Sequence, residues 1–315
     1  MLTSLANNLR KLANQAVPGK RASYRIFDVQ LKQRIEVTPS LTRLVFTGPQ
    51  VAHMRTLAPD QRIKLLFPGA DGQPAQLPLV GNWHQALRAI EPTRRPPMRT
   101  YTIRALRADA GEVDVEFVLH GENGPASRWA THARPGDRLQ MVAPCDEPGD
   151  PGGYEWQPPQ GVRHVLLIGD ETALPAIAGI LEELAQVSPP PQIEAFIEVP
   201  HASDRLALLG TDVTWLARDE LGIEHGEGMV QAARARATLL AKAPRLDNTQ
   251  AVADVDIETQ VLWDLAKPQD NQFYAWVAGE SAAVMAIRRH WVSELGLDKR
   301  ALTFMGYWRL GRALD

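Results

Sequence analysis

The chain reads as a β + α/β protein of two domains, an antiparallel barrel of six strands followed by a domain built on a parallel sheet. Three observations carry this reading. Its 315 residues exceed what a single core usually serves. Up to about residue 143 the apolar runs are short, often β-branched, and separated by turn signals. From residue 160 onward, strand-like and helix-like runs alternate, the pattern of a parallel α/β sheet.

In the first part, residues 24–35 and 41–47 are predicted strands around Thr38-Pro39-Ser40, followed by 63–67, 99–105, 112–119 and 138–142. Val113, Val115, Phe117 and Leu119 recur at every second residue, the first three interleaved with Glu112, Asp114 and Glu116, which marks one buried face of an antiparallel strand. Six such strands suit a small barrel. In the second part, 163–168 is a strand, apolar over Val165–Ile168, and 174–185 a helix. Strands 193–199 and 213–217, helix 229–241, strand 273–278, helix 282–295 and strand 301–307 follow. Residues 144–161 hold five prolines and four glycines and so form the connection. The expected domains are 20–145 and 160–315, with an N-terminal helix over 1–19 whose Leu2, Leu5, Leu9 and Leu12 share one face. Residues 247–267 look like added material, with Ile257, Val261, Leu262 and Leu265 placed for one amphipathic helix.

Composition narrows the function classes. A formal net charge of −3 gives no global field for nucleic acid. No apolar run reaches the ~20 residues of a membrane helix, and the N-terminus lacks the layout of a signal peptide; cytoplasm is the expected location and a monomer the expected state. Cys145 is the only cysteine, which excludes an intramolecular disulfide and a cysteine-ligated iron–sulfur cluster. Redox chemistry would sit on an organic cofactor or a bound substrate. The eight histidines include no H-x-x-x-H pair, so no metal site is expected.

Four segments can carry chemistry. In Arg99-Thr100-Tyr101-Thr102, behind Pro96-Pro97, Arg99 and Tyr101 point to one face of a strand. A guanidinium can grip a diphosphate while a phenol ring stacks on a flat heterocycle; alone, the run is also any strand with an arginine and a tyrosine. In His120-Gly121-Glu122-Asn123-Gly124-Pro125-Ala126-Ser127-Arg128-Trp129 a strand ends in glycines and a helix begins. That start is an anion site or a hairpin loop capped by Ser127. Gly169-Asp170-Glu171-Thr172-Ala173-Leu174-Pro175 stands where a dinucleotide fingerprint would, without G-x-G-x-x-G. Last come Ala278-Gly279-Glu280 and the terminal Gly306-Tyr307-Trp308-Arg309-Leu310-Gly311, in which Trp308 either covers a ligand or closes a core.

In this order the segments resemble the siderophore-interacting proteins, and among them the NADPH-dependent ferric-siderophore reductases of the ferredoxin–NADP reductase superfamily. The resemblance runs from about residue 24 to 311. It implies an FAD-binding antiparallel barrel joined to a nicotinamide-binding α/β domain. By resemblance, Arg99 meets the FAD diphosphate, Tyr101 packs on the isoalloxazine and Thr102 reaches the N5 region, the last two being the catalytic candidates. Because Thr102 points away from Tyr101 on a regular strand, a bend or a backbone contact is expected there. His120, Gly124, Ala126 and Ser127 correspond to a second FAD segment. Asp170 and Thr172 lie where the nucleotide domain meets the flavin, and Trp308 contacts it from the tail. The long 144–161 and 247–267 segments depart from the pattern.

The implied reaction follows from electron counting: nicotinamide gives two electrons as hydride, iron(III) takes one, and a flavin mediates. The substrate is a ferric siderophore, with no nucleic acid and no membrane insertion. NADPH is the expected donor, with NADH and a reduced ferredoxin as alternatives. Arg218, after strand 213–217, is the first candidate for a 2′-phosphate ligand and Arg205 the second, whereas Glu198 would favour NADH. A ferric catecholate is anionic, so Lys64 and Arg309 are expected as arms of a cationic cleft, with Arg128 a third.

Overall fold

A computed structural model describes residues 24–69, 72–122, 124–245, 260–268 and 270–311. The expected N-terminal helix lies outside them, as do residues 247–259 of the added segment, Ile257 among them. Two sheets organise the chain. The first has seven antiparallel strands in the order β4-β3-β7-β1-β2-β6-β5. They are β1 Tyr24–Thr38, β2 Leu41–Thr47, β3 Arg62–Leu66, β4 Met98–Thr102, β5 Ala105–Arg107, β6 Glu112–Val118 and β7 Arg138–Pro144.

The expected count of six becomes seven because the predicted strand 99–105 is divided. β4 and β5 form opposite edges of the sheet, yet only Ile103 and Arg104 separate them. The Ile103 amide donates to Gln61 O on one side and the Arg104 amide to Asp114 O on the other. A two-residue link between the edges forces the sheet to curl. Its concave side buries Phe27, Val29, Leu44, Phe46, Ile63, Leu65, Val113, Val115 and Phe117, the alternate residues of each strand.

The second sheet runs β10-β9-β8-β12-β13-β11. β8 His164–Gly169, β9 Gln192–Val199, β10 Val213–Ala217, β12 Phe273–Glu280 and β13 Leu302–Trp308 are parallel, as expected. β11 Trp263–Asp264 adds an antiparallel edge, so the sheet is mixed. That edge also corrects the amphipathic helix expected across Val261, Leu262 and Leu265. Leu262 is buried, Trp263 stacks on Tyr307, and Val261 and Leu265 face outward, so an extended edge covers β13 better than a helix would.

Successive β8 residues face opposite layers. Val165 and Leu167 pack with helix Leu174–Leu184 on one side, and Leu166 and Ile168 with helix Ser281–Arg288 on the other. The helix expected over 229–241 is broken. Glu227–Gln231 passes into a wide π-type turn at Ala232–Arg236, and Thr238–Lys242 winds as a 3₁₀ helix. The break falls where Glu194 accepts from the Thr238 hydroxyl and from Leu239 N at 3.0 Å, restarting the chain with a new cap.

Residues 144–161 form a packed joint. Asp60 Oδ2 accepts from the amides of Glu155 and Trp156 at 2.8 and 2.9 Å. Arg62 pairs with Glu155 at 2.8 Å and lies over the Trp263 ring. Gly153, at φ +79°, is obligatory here, since a Cβ would stand 1.9 Å from the Tyr24 hydroxyl. Elsewhere the domains are tied by Arg104 to Glu182 and by Asp204 Oδ1, which accepts from Thr38 Oγ1 at 2.7 Å and Ser40 N at 2.9 Å.

Candidate functional site

The site begins at β4. It pairs with β3 alone, without a register shift, Ile63 opposite Tyr101 and Arg62 opposite Thr102. Arg99 and Tyr101 therefore share the concave face with Leu65 and Ile63. Lys64, Thr100 and Thr102 share the other face, where Leu66 and Met98 pack beside helix Trp83–Ala89. The strand stays regular through Thr102, so the bend expected there comes one residue later, at Ile103. Thr102 is buried on the face opposite Tyr101. The Tyr101 ring lies 4.3 Å from that of Phe117 and 6.5 Å from that of Phe67. Burial pushes its phenol above the usual range, with Arg99 opposing. Arg99 is partly buried, and one Nη donates to Met98 O at 2.8 Å.

The second segment follows β6. Ser127 is buried; its hydroxyl accepts from His120 N at 3.4 Å and donates to Val118 O at 3.3 Å, tying the strand end to helix Pro125–His132. Among the described residues no side chain caps that helix at Gly124, and a Cβ on Gly124 would meet nothing within 4 Å. His120 is exposed, and Ala126 is buried against the concave core. Helix amides left without a side-chain cap, an open approach at Gly124 and a guanidinium on β4 are the donor set a dinucleotide diphosphate requires. The residues present therefore fit FAD.

The third region is the crevice between β8 and β12. Connections leave these neighbours toward opposite faces of the sheet, which makes it the switch point where ligands collect. Asp170 is fully buried and accepts four hydrogen bonds. Oδ1 receives Thr172 N at 2.9 Å and Thr172 Oγ1 at 2.5 Å; Oδ2 receives Glu280 N at 2.8 Å and Trp308 Nε1 at 2.9 Å. Gly279, at φ +153°, is what admits this carboxylate, since a Cβ would stand 2.7 Å from Oδ2. Burial, and after it the Glu171 charge, raise the Asp170 pKa to about 6.

Beside it Glu171 and Arg218 form a two-pronged ion pair at 2.9 and 3.0 Å. Arg218 also donates to Glu198 at 3.0 Å, and Glu198 accepts from Gly226 N and Met229 N. His225 lies 3.2 Å from Glu171 and packs edge-on to the Trp308 ring, centroids 4.7 Å apart. Burial alone would raise the Glu171 pKa; hydrogen bonds from His225 and then Arg218 outweigh it and bring it to about 2. Asp170, Glu171 and His225 hold ligand-capable atoms within 4.8 Å of one another, but the hydrogen bonds above already engage both carboxylates.

The structure thus brings Asp170, Thr172 and Trp308 together, and Arg99 with Tyr101. It joins Arg218 to Glu198, the two residues expected to compete over the donor's ribose, in one buried network. Arg205 pairs with Glu220 at the surface. Lys64 stands on the face opposite Arg99, with Nζ 3.1 Å from Thr100 Oγ1; burial, then Arg62, lower its pKa. Arg128 donates to Glu122 O at 3.1 and 3.2 Å, and Arg309 follows Trp308 out of β13. Sequence reasoning missed the roles of Glu171, of Glu280, whose amide meets Asp170 and whose carboxylate caps helix Ser281–Arg288, and of His225. The first two lay inside segments already singled out, while His225 carried no signal.

Two family models match the chain, the siderophore-interacting FAD-binding domain over residues 30–147 and the siderophore-interacting protein over residues 162–311. An uncharacterised protein of Mycobacterium tuberculosis is 32% identical, covering 88% of this chain and 87% of its own length. The ferric vibriobactin reductase of Vibrio cholerae is 27% identical, covering 88% and 86%. The NADPH-dependent ferric-chelate reductase of Escherichia coli is 26% identical, covering 87% and 90%. Among solved structures, a siderophore utilization protein from T. fusca superimposes with a TM-score of 0.67 at 26% identity, covering 94% of this chain and 97% of its own. With both domains matched in order and relatives aligned over most of their length, the chain belongs to the siderophore-interacting protein family.

Proposed function

We propose that this protein is an FAD-dependent reductase that draws electrons from a nicotinamide donor and delivers them to an iron(III)–siderophore complex, releasing iron(II). The observation that carries the reading is the match of an FAD-binding family model to the curled sheet and of a siderophore-interacting model to the α/β domain. When bound, FAD supplies the step between a two-electron donor and a one-electron acceptor.

The chain's own residues bind and orient. Arg99 and the amides at Ala126 and Ser127 hold the diphosphate, and Tyr101 supports the ring system from a position braced by Phe117. At Thr102 the contact to the flavin runs through the unpaired backbone edge of β4, because the Thr102 side chain turns to the other face. The Asp170 hydrogen bond and the His225 edge contact hold the Trp308 indole at the crevice mouth, where it screens the flavin from water. NADPH as donor is supported by the E. coli relative's activity. Lys64, Arg309 and Arg128 supply cations for an anionic ferric complex; Lys64 and Arg128 donate to neutral oxygens. Iron(III) is a hard ion held by anionic oxygen ligands, and reduction weakens that hold.

The test mixes purified holoprotein with NADPH and a ferric catecholate siderophore while an iron(II) trap is followed. Flavin bleaching by NADPH and trapped iron(II) appearing at matching rates are expected. Bleaching by neither NADPH nor NADH would overturn the nicotinamide donor and leave a reductase fed by reduced ferredoxin or a binding protein.

A further inference from the structure

The α/β domain has a cleft of about 390 Å³ between helix Glu227–Gln231 and helix Ser281–Arg288, within the size range of small-molecule sites. Its lining follows the carboxyl ends of β10 and β12, the edge at which parallel sheets collect ligands. One end meets the crevice described above. His225 lines the cleft and packs edge-on to the Trp308 ring, and Glu280 lines it while its amide meets Asp170. A ligand that filled the cleft and reached past His225 would arrive at the Trp308 indole.

The chemistry of the lining suits a nucleoside and not a phosphate. Ala282, Ala283 and Val230 give short apolar surfaces on which a heterocycle can rest. Among the described residues no lysine or arginine lines the cleft. The two arginines expected to hold a 2′-phosphate are committed elsewhere, Arg218 to Glu171 and Glu198 and Arg205 to Glu220. The first amides of helix Ser281–Arg288 could also cradle a phosphate, but Glu280 Oε2 accepts from Ala282 N and Ala283 N at 2.6 and 3.0 Å. Glu198, the carboxylate expected at the donor's ribose, is fully buried and accepts from Gly226 N and Met229 N. That leaves Glu227. It is exposed, and its Oε2 accepts from Glu224 N at 3.1 Å, which keeps Oε1 for a ligand. A carboxylate accepts from a ribose hydroxyl and repels a phosphate.

We propose that this cleft receives the adenosine end of the nicotinamide donor, and that Glu227 discriminates at its 2′ position by accepting from a ribose hydroxyl and repelling a 2′-phosphate. The proposal rests on the nicotinamide-donor reading and names the residue that weighs one form of the donor against the other.

The test titrates the holoprotein with 5′-AMP and with adenosine 2′,5′-bisphosphate by calorimetry, and follows flavin bleaching by NADH and NADPH alongside. Wild type is compared with Glu227→Gln, Glu224→Gln and Ala282→Trp. Glu224 and Ala282 are exposed, and Glu224 stands outside the cleft. Glu227→Gln should tighten the bisphosphate relative to AMP by about five- to tenfold and raise the NADPH to NADH ratio of kcat/KM by a similar factor. Its kcat with saturating NADH should hold, as expected for a contact made equally in ground and transition states. Glu224→Gln removes the same charge and should move neither ratio by more than about twofold. Ala282→Trp, which fills the cleft from an exposed position, should weaken both nucleotides. Equal shifts in the two glutamate variants, or nucleotide affinities unmoved by Ala282→Trp, would overturn the inference while the flavin still bleaches. A wild-type flavin bleached by neither NADH nor NADPH would overturn the donor reading and this inference with it.

Discussion

Replacing Arg218 by alanine should destabilise the α/β domain without changing the choice of nicotinamide donor. The guanidinium makes three charge-assisted hydrogen bonds, at 2.9 and 3.0 Å to Glu171 and 3.0 Å to Glu198, whose side chains are 9% and 0% exposed. Truncation leaves two carboxylates in place with their counter-charge gone, a change that typically costs about 3–5 kcal/mol. The Glu171 pKa leads to a similar figure. Burial raises it, His225 and Arg218 lower it further, and the net fall from 4.5 to about 2 corresponds to about 3 kcal/mol of stability at neutral pH, part of it owed to His225. Because the folded pKa lies below the unfolded one, this contribution is present above pH 4.5 and is lost as pH falls through about 2.

The assay is urea unfolding at neutral and at mildly acidic pH, with kcat/KM for NADPH and NADH measured alongside. Arg218→Ala should lose roughly 3 kcal/mol at neutral pH and meet its acid-side loss at a higher pH than wild type. Arg218→Ala combined with Glu171→Gln should recover part of the loss, because one stranded charge is removed. The NADPH to NADH ratio should stay as in wild type. A loss under about 1 kcal/mol together with a collapse of NADPH preference would refute the reasoning and return the guanidinium to the donor's 2′-phosphate.

Other outcomes follow from the same contacts. Arg99→Ala should weaken FAD by roughly 1.5–3 kcal/mol, read as flavin released on gel filtration or by titration of the apoprotein; unchanged retention would remove Arg99 from the flavin site. Lys64→Ala and Arg309→Ala should each raise KM for an anionic ferric siderophore, as added salt should in wild type, while FAD content holds; normal reduction by both at low salt would move the cleft elsewhere. Asp170 acts opposite to Glu171: its folded pKa is raised to about 6, so the native state holds the proton more tightly and stability declines as pH rises from about 4 to 6. Asp170→Asn should flatten that limb of the stability curve, and a limb of unchanged slope would show that another group titrates there.

The two-domain division, the strand runs and the parallel order were legible in the sequence because periodicity reports burial directly: a residue facing a core must be apolar wherever in the chain it lies. The four chemical segments were legible for a related reason. Gly279 stands where a Cβ would meet the Asp170 carboxylate, Gly124 lies in a glycine-bearing strand-to-helix turn, and Arg99 and Tyr101 share a face through the two-residue repeat of a strand alone. What the sequence could not determine depended on pairings between distant residues. The break of one predicted strand at Ile103 reflects the sheet's two edges drawing on Gln61 and Asp114 at once. Arg218, Glu171, Glu198 and His225 span some fifty residues; in sequence Arg218 and Glu198 read as rival ligands of the donor's ribose and nothing couples them to Glu171 or His225, until parallel pairing of β8, β9 and β10 sets their loops side by side. Whether a charge is free for a ligand or committed to a buried partner is decided by which strands adjoin, and only the tertiary structure holds that information.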